Sequence, residues 1–319
     1  MSFRIAGTGS CLPEQVVENE AFCGFVDTSD EWIVSRTGMR RRHFVKEETM
    51  RDLVYTAASR ALEDAGCKAS ELDYILCSTI QGDYITPSLA CLLQADLGAN
   101  CPAMDINAAC SGFLYALDAA AAQFAAKKAK TILVVGAEQL SKFLDWSDRN
   151  TCVLFGDGAG AVVLTEGEGL LSIRLGSYGQ MESLNIPGSS SPGPFSDFKR
   201  PASYIHMNGQ EIFKFAVSAI QREIRTVTAE TGITPEEVDY FLLHQANGRI
   251  IESARNRMKQ PKEKFPTNYE ECGNTSSASI PLLLDSLNTA NRLKNGDILL
   301  MSAFGGGLTT GTCLLKWNK

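Results

Sequence analysis

Residues 61–79, ALEDAGCKASELDYILCST, align without a gap on residues 227–245, VTAETGITPEEVDYFLLHQ. Gly66 falls on Gly232, Glu71 on Glu237, Asp73 on Asp239 and Tyr74 on Tyr240, a constant offset of 166 residues. The same offset lays TILVVG (131–136) over DILLMS (297–302), and the helical stretch after Cys110 over SASIPLLLDSLNTANRL (277–293). Beyond that the offset shrinks but the pattern persists: FGDGAGAVVL (155–164) and FGGGLTTGTCLL (304–315) are each a glycine turn running into a strand. A repeat of this extent constrains the fold more than any single motif, because both halves must build the same supersecondary unit.

In each half an amphipathic helix (Leu53 to Ala65; Ile212 to Glu230) leads into a short apolar strand (Tyr74 to Cys77; Tyr240 to Leu243). A buried helix, a buried strand, a glycine turn and a final strand follow. Helices alternating with apolar strands predict an α/β protein with mostly parallel sheets covered on both faces. FLYALDAAAAQFAA, after Cys110, is apolar on every side and suits a central layer. Two halves, 1–168 and 169–319, sharing that layer predict a five-layered α-β-α-β-α sandwich. The Gly-, Ser- and Pro-rich run 179–203 predicts a loop or excursion between the halves.

The chain has 319 residues, enough for a large core, and a formal charge of −7, which argues against general nucleic-acid binding. Its N-terminal apolar stretch is too short for a signal-peptide core, and no run reaches the ~18 apolar residues of a membrane span. A cytoplasmic protein without membrane insertion is expected. The ten cysteines are scattered, with no C-x-x-C and no histidine near a cysteine pair, so neither a disulfide framework nor a zinc site is expected. Any one of them reads first as a small buried hydrophobe.

Cys110 stands apart because INAACSGFLYALDAA places it where a helix begins. A helix N-terminus favours the thiolate, and its free N–H groups can hold an oxyanion. FGGG (304–307) can bring a second backbone amide close. Of three histidines, His43 lies in a basic run, His206 precedes a helix, and His244 follows the apolar strand VDYFLL. Sites on parallel sheets form at strand carboxyl ends, which favours His244, although a structural histidine is the plain alternative. The 166 offset maps Cys110 onto Ser276, two residues after Asn274, so Asn274 belongs to the second half's version of the Cys110 junction. Cys110, His244 and Asn274 are therefore expected to converge. No G-x-S-x-G elbow supports a serine hydrolase, and GDGAG lacks dinucleotide-binding spacing.

AACSGF, HQANGRII, ECGNTSSASIP and SAFGGG resemble the signatures of β-ketoacyl-(acyl-carrier-protein) synthase III, a condensing enzyme of the thiolase superfamily. DEWIVSRTGMRRRHF, DRNTCVLFGDGAGAVVL and YIHMNGQEIFKFAV extend the resemblance over nearly the whole chain, in order. The resemblance implies a thiolase-like sandwich in which Cys110 takes an acyl group from a short acyl-CoA. The backbone amides of Cys110 and Gly306 would hold the oxyanion. His244 and Asn274 would stabilise the enolate left when malonyl-carrier protein loses CO2, with no metal or redox cofactor. Two other outcomes stay open at this level: a relative that passes acyl-Cys110 to an alcohol or amine, and a non-catalytic acyl-CoA-binding relative.

By the same resemblance Trp32 is an aromatic plate for the CoA adenine, with Arg149, Arg36 and Thr28 around it, and Gly209, Phe213 and Asn247 along the CoA tunnel. RIIESARNRMKQPKEK (249–264) holds six basic and two acidic residues in an acidic chain. Lys214, Arg249 and Arg257 are the candidates for docking an acidic carrier protein, against the plainer reading of a solvated helix face. The family is a homodimer whose acyl pocket is closed partly by the partner. Thr86, in YITPS, stands where some members carry phenylalanine.

Overall fold

The computed structural model describes residues 2–188, 194–195 and 202–319. The first half contributes β1 (Ser2–Cys11), β2 (Gln15–Glu18), α1 (Asp30–Thr37), β3 (Arg41–Phe44), α2 (Met50–Ala65), β4 (Tyr74–Ser78), α3 (Leu89–Leu97), β5 (Ala103–Ile106), α4 (Gly112–Ala125), β6 (Thr131–Gln139) and β7 (Asp157–Gly167). The second contributes β8 (Leu170–Gln180), β9 (Leu184–Asn185), β10 (His206–Met207), α5 (Gly209–Thr231), β11 (Tyr240–Leu243), α6 (Gly248–Met258), α7 (Tyr269–Cys272), α8 (Ser279–Thr289), β12 (Ile298–Gly305) and β13 (Gly307–Lys316).

Two sheets form the body, in the orders β1-β7-β6-β4-β5 and β11-β12-β13-β8. Between them lie α4 and α8. Phe113, Leu117 and Phe124 of α4 and Leu283 and Leu287 of α8 pack on Ile132 and Val162 of one sheet and Leu299 and Met301 of the other. The outer face of the first sheet is covered by α2 and α3, through Leu53, Ala57 and Leu93. That of the second is covered by α5 and α6, through Val217, Ile220 and Ile251. This is the five-layered sandwich.

The sheets are mixed and not mostly parallel as expected. β4 pairs in parallel with β5 and β6, and β11 with β12, but β7 and β13 run against both of their neighbours. A single residue, Gly306, separates β12 from β13, and so tight a turn joins antiparallel strands only. Among the described residues the second half has no counterpart of β5, so β11 forms the edge of its sheet, and Asn274 instead makes an isolated parallel bridge to Phe155 of the first half. The run 179–203 is not all loop, since it holds the end of β8 and all of β9; residues 189–193 and 196–201 of it lie outside the described residues. No helix of the described residues is long and apolar enough to cross a membrane.

The repeat also slips by one residue. β4 and β11 keep the offset of 166, but Tyr74 pairs with Ile132 while Tyr240 pairs with Leu299, an offset of 167. The junctions follow the second value. Ala109 and Ser276 both adopt positive φ, 47° and 48°, and each donates its N–H to the side chain of an asparagine two residues back, Asn107 or Asn274. The counterpart of Cys110 is therefore Ser277, not Ser276, and Asn274 is the counterpart of Asn107.

Candidate active site

The Cys110 turn is built from the end of β5. The Asn107 side chain accepts the Ala109 N–H at 3.2 Å, and residues 109–111 make one tight turn before α4 begins at Gly112. Ser111 Oγ donates to Thr309 Oγ1 at 2.6 Å, and Thr309 Oγ1 donates to the Ala108 carbonyl at 3.1 Å, which clamps the turn to β13. From below, β12 presses on it at Gly305, where a Cβ would lie 2.7 Å from the Cys110 nitrogen. Gly305 is thus the glycine that touches the turn. Gly306 stands one residue on, against Leu184.

His244 leaves β11 fully buried, with its N–H on the Ser302 carbonyl at 2.8 Å. Its Nδ1 lies 2.7 Å from Ser279 Oγ, which also accepts the Gln245 N–H. With the Gln245 N–H on one lone pair of Ser279 Oγ, the hydroxyl hydrogen is free for Nδ1, and we assign that pairing, which leaves the imidazole proton on Nε2, the side away from Ser279. Gln245 holds the loop, donating to the Leu243 carbonyl and accepting from the Asn268 N–H. Asn274 is oriented in the same manner. Its Oδ1 accepts the Ser276 N–H at 2.9 Å, which leaves Nδ2 as the free donor. Its backbone pairs with Leu154 and Gly156 of the first half, carrying it across the molecule.

These environments set the charges. Burial holds the His244 imidazole down to about 3, so it is neutral at any working pH. Burial also pushes the Cys110 thiol up to about 12, with the nearby Glu138 carboxyl adding to the rise and the Ser276 hydroxyl opposing it. From an ordinary thiol value, that rise corresponds to a few kcal/mol, on the order of 4. A helix N-terminus offers about 2 kcal/mol at best. The favourable field of the helix start is therefore smaller than the cost of burial at Cys110. Glu138, on β6, is raised to about 7, chiefly by burial.

Cys110, His244 and Asn274 all line one cavity of about 920 Å³, with Phe304 and Gly305. Trp32, Arg36, Arg149, Gly209, Phe213, Asn247, Lys214 and Arg249 line the same cavity. The Trp32 ring has Arg149 at 5.0 Å and Arg36 at 5.3 Å. Asn247 caps α6, accepting the Arg249 N–H at 2.8 Å, and ties it to α1 through the Arg36 carbonyl. Thr28 does not line the cavity; it precedes the α1 cap Ser29, and its Oγ1 is buried without a partner. Arg257 lines the adjoining groove between α1 and α6, which Arg249 shares. Of the other basic residues in 249–264, Arg255 pairs with Glu252 and Lys264 holds the Glu236 and Val238 carbonyls, so the free positive face is smaller than composition suggested. Thr86 is exposed in a loop with Tyr84 and Ile85, away from the cavity of its own chain. His43 is held by the Pro13 carbonyl, and His206 is exposed on β10.

Sequence reasoning missed Glu138, Ser276 and Ser279. A charge inside the apolar strand TILVVGAEQL was the available signal for the first. The serines were hidden in the run TSSAS, where nothing local says which hydroxyl turns inward.

Two family models match the chain: 3-oxoacyl-[acyl-carrier-protein (ACP)] synthase III over residues 104–179, and its C-terminal region over residues 228–317. A β-ketoacyl-[acyl-carrier-protein] synthase III of Clostridium acetobutylicum is 47% identical over 100% of this chain and 99% of its own. The crystal structure of 3-oxoacyl-[acyl-carrier-protein] synthase III from Aquifex aeolicus superposes with a TM-score of 0.93 at 45% identity, covering 99% of this chain and 100% of that one. The priming β-ketosynthase of the R1128 polyketide pathway superposes at 0.92 with 34% identity, covering 100% and 97%. Identity at this level over the full length of both chains, on a sandwich whose two halves meet at one cysteine, one histidine and one asparagine, makes this chain a member of the β-ketoacyl-[acyl-carrier-protein] synthase III family of thiolase-fold condensing enzymes.

Proposed function

We propose that the protein joins a short acyl-CoA starter to malonyl-acyl carrier protein by decarboxylative Claisen condensation, giving a 3-oxoacyl-carrier protein, CoA and CO2, the first step of type II fatty acid biosynthesis. The observation that carries this reading is the pair of oriented, uncharged donors, His244 Nε2–H and Asn274 Nδ2, on the cavity that also holds the Cys110 thiol. Cys110 attacks the starter thioester, and the Cys110 and Gly306 amides hold the oxyanion while CoA leaves. His244 and Asn274 then bind the malonyl thioester oxygen, loss of CO2 leaves an enolate, and its carbon attacks acyl-Cys110. Because decarboxylation creates the carbanion, the chemistry draws on no metal or redox cofactor.

The CoA nucleotide lies against Trp32 with Arg36, Arg149 and Thr28 near it, and the pantetheine arm passes Gly209, Phe213 and Asn247. Lys214, Arg249 and Arg257 receive the acidic carrier protein at the mouth. Two copies assemble as a homodimer, with the exposed Tyr84–Thr86 loop of each closing the acyl pocket of the other at Thr86. Ten free cysteines fit a reducing, cytoplasmic setting.

The test is the mass of the intact protein after exposure to a panel of acyl-CoAs, followed by peptide mapping and a condensation assay with malonyl-carrier protein. One acyl group on Cys110 and a 3-oxoacyl-carrier product are expected. A label elsewhere with Cys110 free sinks the mechanism, and transfer only to an alcohol or amine replaces it.

A further inference from the structure

The condensation chemistry leaves one buried acid unused. Glu138 sits near the end of β6, 1% exposed, facing the two-serine turn that precedes α8. Its Oε1 accepts from Ser276 Oγ at 3.1 Å and from Ser277 Oγ at 2.9 Å, and its Oε2 accepts the Ile80 N–H at 3.1 Å. The backbone N–H of Ser276 goes elsewhere, to Asn274 Oδ1 at 2.9 Å. Ser276 therefore joins a carboxyl of the half that carries Cys110 to the amide of Asn274 in the other half, with a hydrogen bond on each side.

Comparing the two junctions shows what this acid changes. At the 167-residue offset of the paired strands, Asn107 matches Asn274, Ala109 matches Ser276, Cys110 matches Ser277 and Gly305 matches Glu138. Yet the two turns present opposite residues to the cavity. Cys110 lines it and Asn107 does not, whereas Asn274 lines it and Ser277 does not. The strand residue packed against each turn accounts for the inversion. Gly305 offers the first turn no side chain to bind, so the Cys110 side chain is left to the cavity. Glu138 instead draws the Ser277 hydroxyl inward. The asparagines part in the same way. Asn107 spends its Nδ2 on the Ile80 carbonyl at 3.3 Å, while Asn274, its Oδ1 held by Ser276, keeps Nδ2 for the cavity.

We propose that Glu138 is the positioning residue of Asn274: by holding the Ser276 and Ser277 hydroxyls inward, it fixes the N–H that aims the Asn274 amide at the malonyl thioester oxygen. The inference rests on the reading that Asn274 donates to that oxygen. Ser276 adopts a φ of 48°, in the left-handed region that a residue with a Cβ disfavours, so its conformation has to be held from outside. The bond from its Oγ to Glu138 supplies that hold. The backbone of Asn274, paired with Leu154 and Gly156, fixes where the residue sits but not how its amide is turned. Gly136, on the same face of β6 as Glu138, lets the turn come close, since a Cβ there would lie 2.5 Å from the Ser277 carbonyl oxygen. Ser277 Oγ also lies 3.1 Å from the Ser78 carbonyl at the end of β4, a second anchor for the turn. Glu138 itself does not line the cavity, so its effect on the reaction passes through Asn274.

The test is a double-mutant cycle read on two half-reactions, CO2 release from malonyl-carrier protein and single-turnover acylation of Cys110 by intact mass. Ser276→Ala keeps the backbone N–H but cuts its tie to Glu138. It is expected to slow CO2 release by about 10–10²-fold, the scale of a misplaced reacting group, and to change acylation far less. Glu138→Ala, which removes the acceptor, is expected to do the same. Added to Asn274→Ala, Ser276→Ala is expected to cost nothing further in CO2 release, because the donor that it aims is already gone. A residue that only supports the fold would slow both half-reactions and would add its loss to that of Asn274→Ala. The proposal is overturned if Ser276→Ala or a folded Glu138→Ala releases CO2 at the unmodified rate, if acylation falls as far, or if Ser276→Ala costs as much in the Asn274→Ala background. Ser276→Ala decides alone should Glu138→Ala not fold. An Asn274→Ala protein with unmodified CO2 release would instead remove the reading on which the proposal stands.

Discussion

At the scale of single residues, the site separates two jobs by burial. His244 and Asn274 are held as neutral donors by Ser279 and by the Ser276 amide. Removing such a donor costs about 10²–10³ in rate. His244→Ala and Asn274→Ala are therefore expected to slow CO2 release from malonyl-carrier protein by that factor and to affect acyl loading much less. Wild-type decarboxylation rates in both variants would reject the roles assigned to them. Burial holds the His244 ring down to about 3, so it stays neutral as pH falls from 8 to 5. Decarboxylation should show no titration of this histidine in that range, which a pH series of CO2 release checks. A break near the ordinary histidine value would mean that the ring is far less buried in solution. The three principal residues were legible because each sits at an element boundary. Glu138 was not, because a buried charge in a strand declares its partner only once a second strand end and a distant serine turn pack against it.

Among elements, close backbone approach decides which residues meet. Gly136 of β6 lies under the serine turn, where a Cβ would come 2.5 Å from the Ser277 carbonyl oxygen. Gly136→Ala must push that turn away, carrying Ser276 and the adjoining Asn274 with it. A loss of about 1–3 kcal/mol in a denaturant melt is expected from overpacking. Decarboxylation should fall further than that stability loss explains, since part of the donor pair moves. An active variant of unchanged stability would show that β6 and the serine turn have room that the structure does not give them. The repeat made both junctions visible in the sequence, yet the one-residue slip was not. Ungapped alignment over 61–79 and 227–245 cannot register a residue gained later, whereas matching turns at Ala109 and Ser276 do so directly.

For the whole molecule, the proposed docking sets a chain of charge −7 against an acidic carrier protein. Lys214 and Arg249 sit on the cavity lining and Arg257 on the adjoining groove, all exposed. Exposed charges mainly steer encounter and are screened beyond about 8–10 Å at physiological salt. Arg249→Glu with Arg257→Glu is expected to raise KM for malonyl-carrier protein and leave loading from acyl-CoA nearly unchanged, with wild-type KM rising as salt is added. Equal losses in both half-reactions would place these arginines in the CoA tunnel. On another face, Ile85 is 81% exposed and Tyr84 58% beside Thr86, an apolar tip that calls for a covering partner. Ile85→Asp is expected to shift the protein from dimer to monomer in sedimentation. A wild-type monomer at working concentration would leave the Thr86 pocket assignment without support.

What the sequence determined by itself was the layered α/β plan, the two halves and the element ends bearing Cys110, His244 and Asn274, because hydrophobic period and a long internal repeat are local or self-referring signals. Strand direction at β7 and β13 was decided by the tertiary structure, as were the pairing of Asn274 with the other half, the tautomer of His244 and the contact of Glu138 with the Ser276 and Ser277 hydroxyls. Each of those depends on which side chains meet after the sheets close on α4 and α8. Hydrogen-bond direction and proton affinity are set by neighbours in space, which lie 35 residues away for His244 and 138 for Glu138 along the chain.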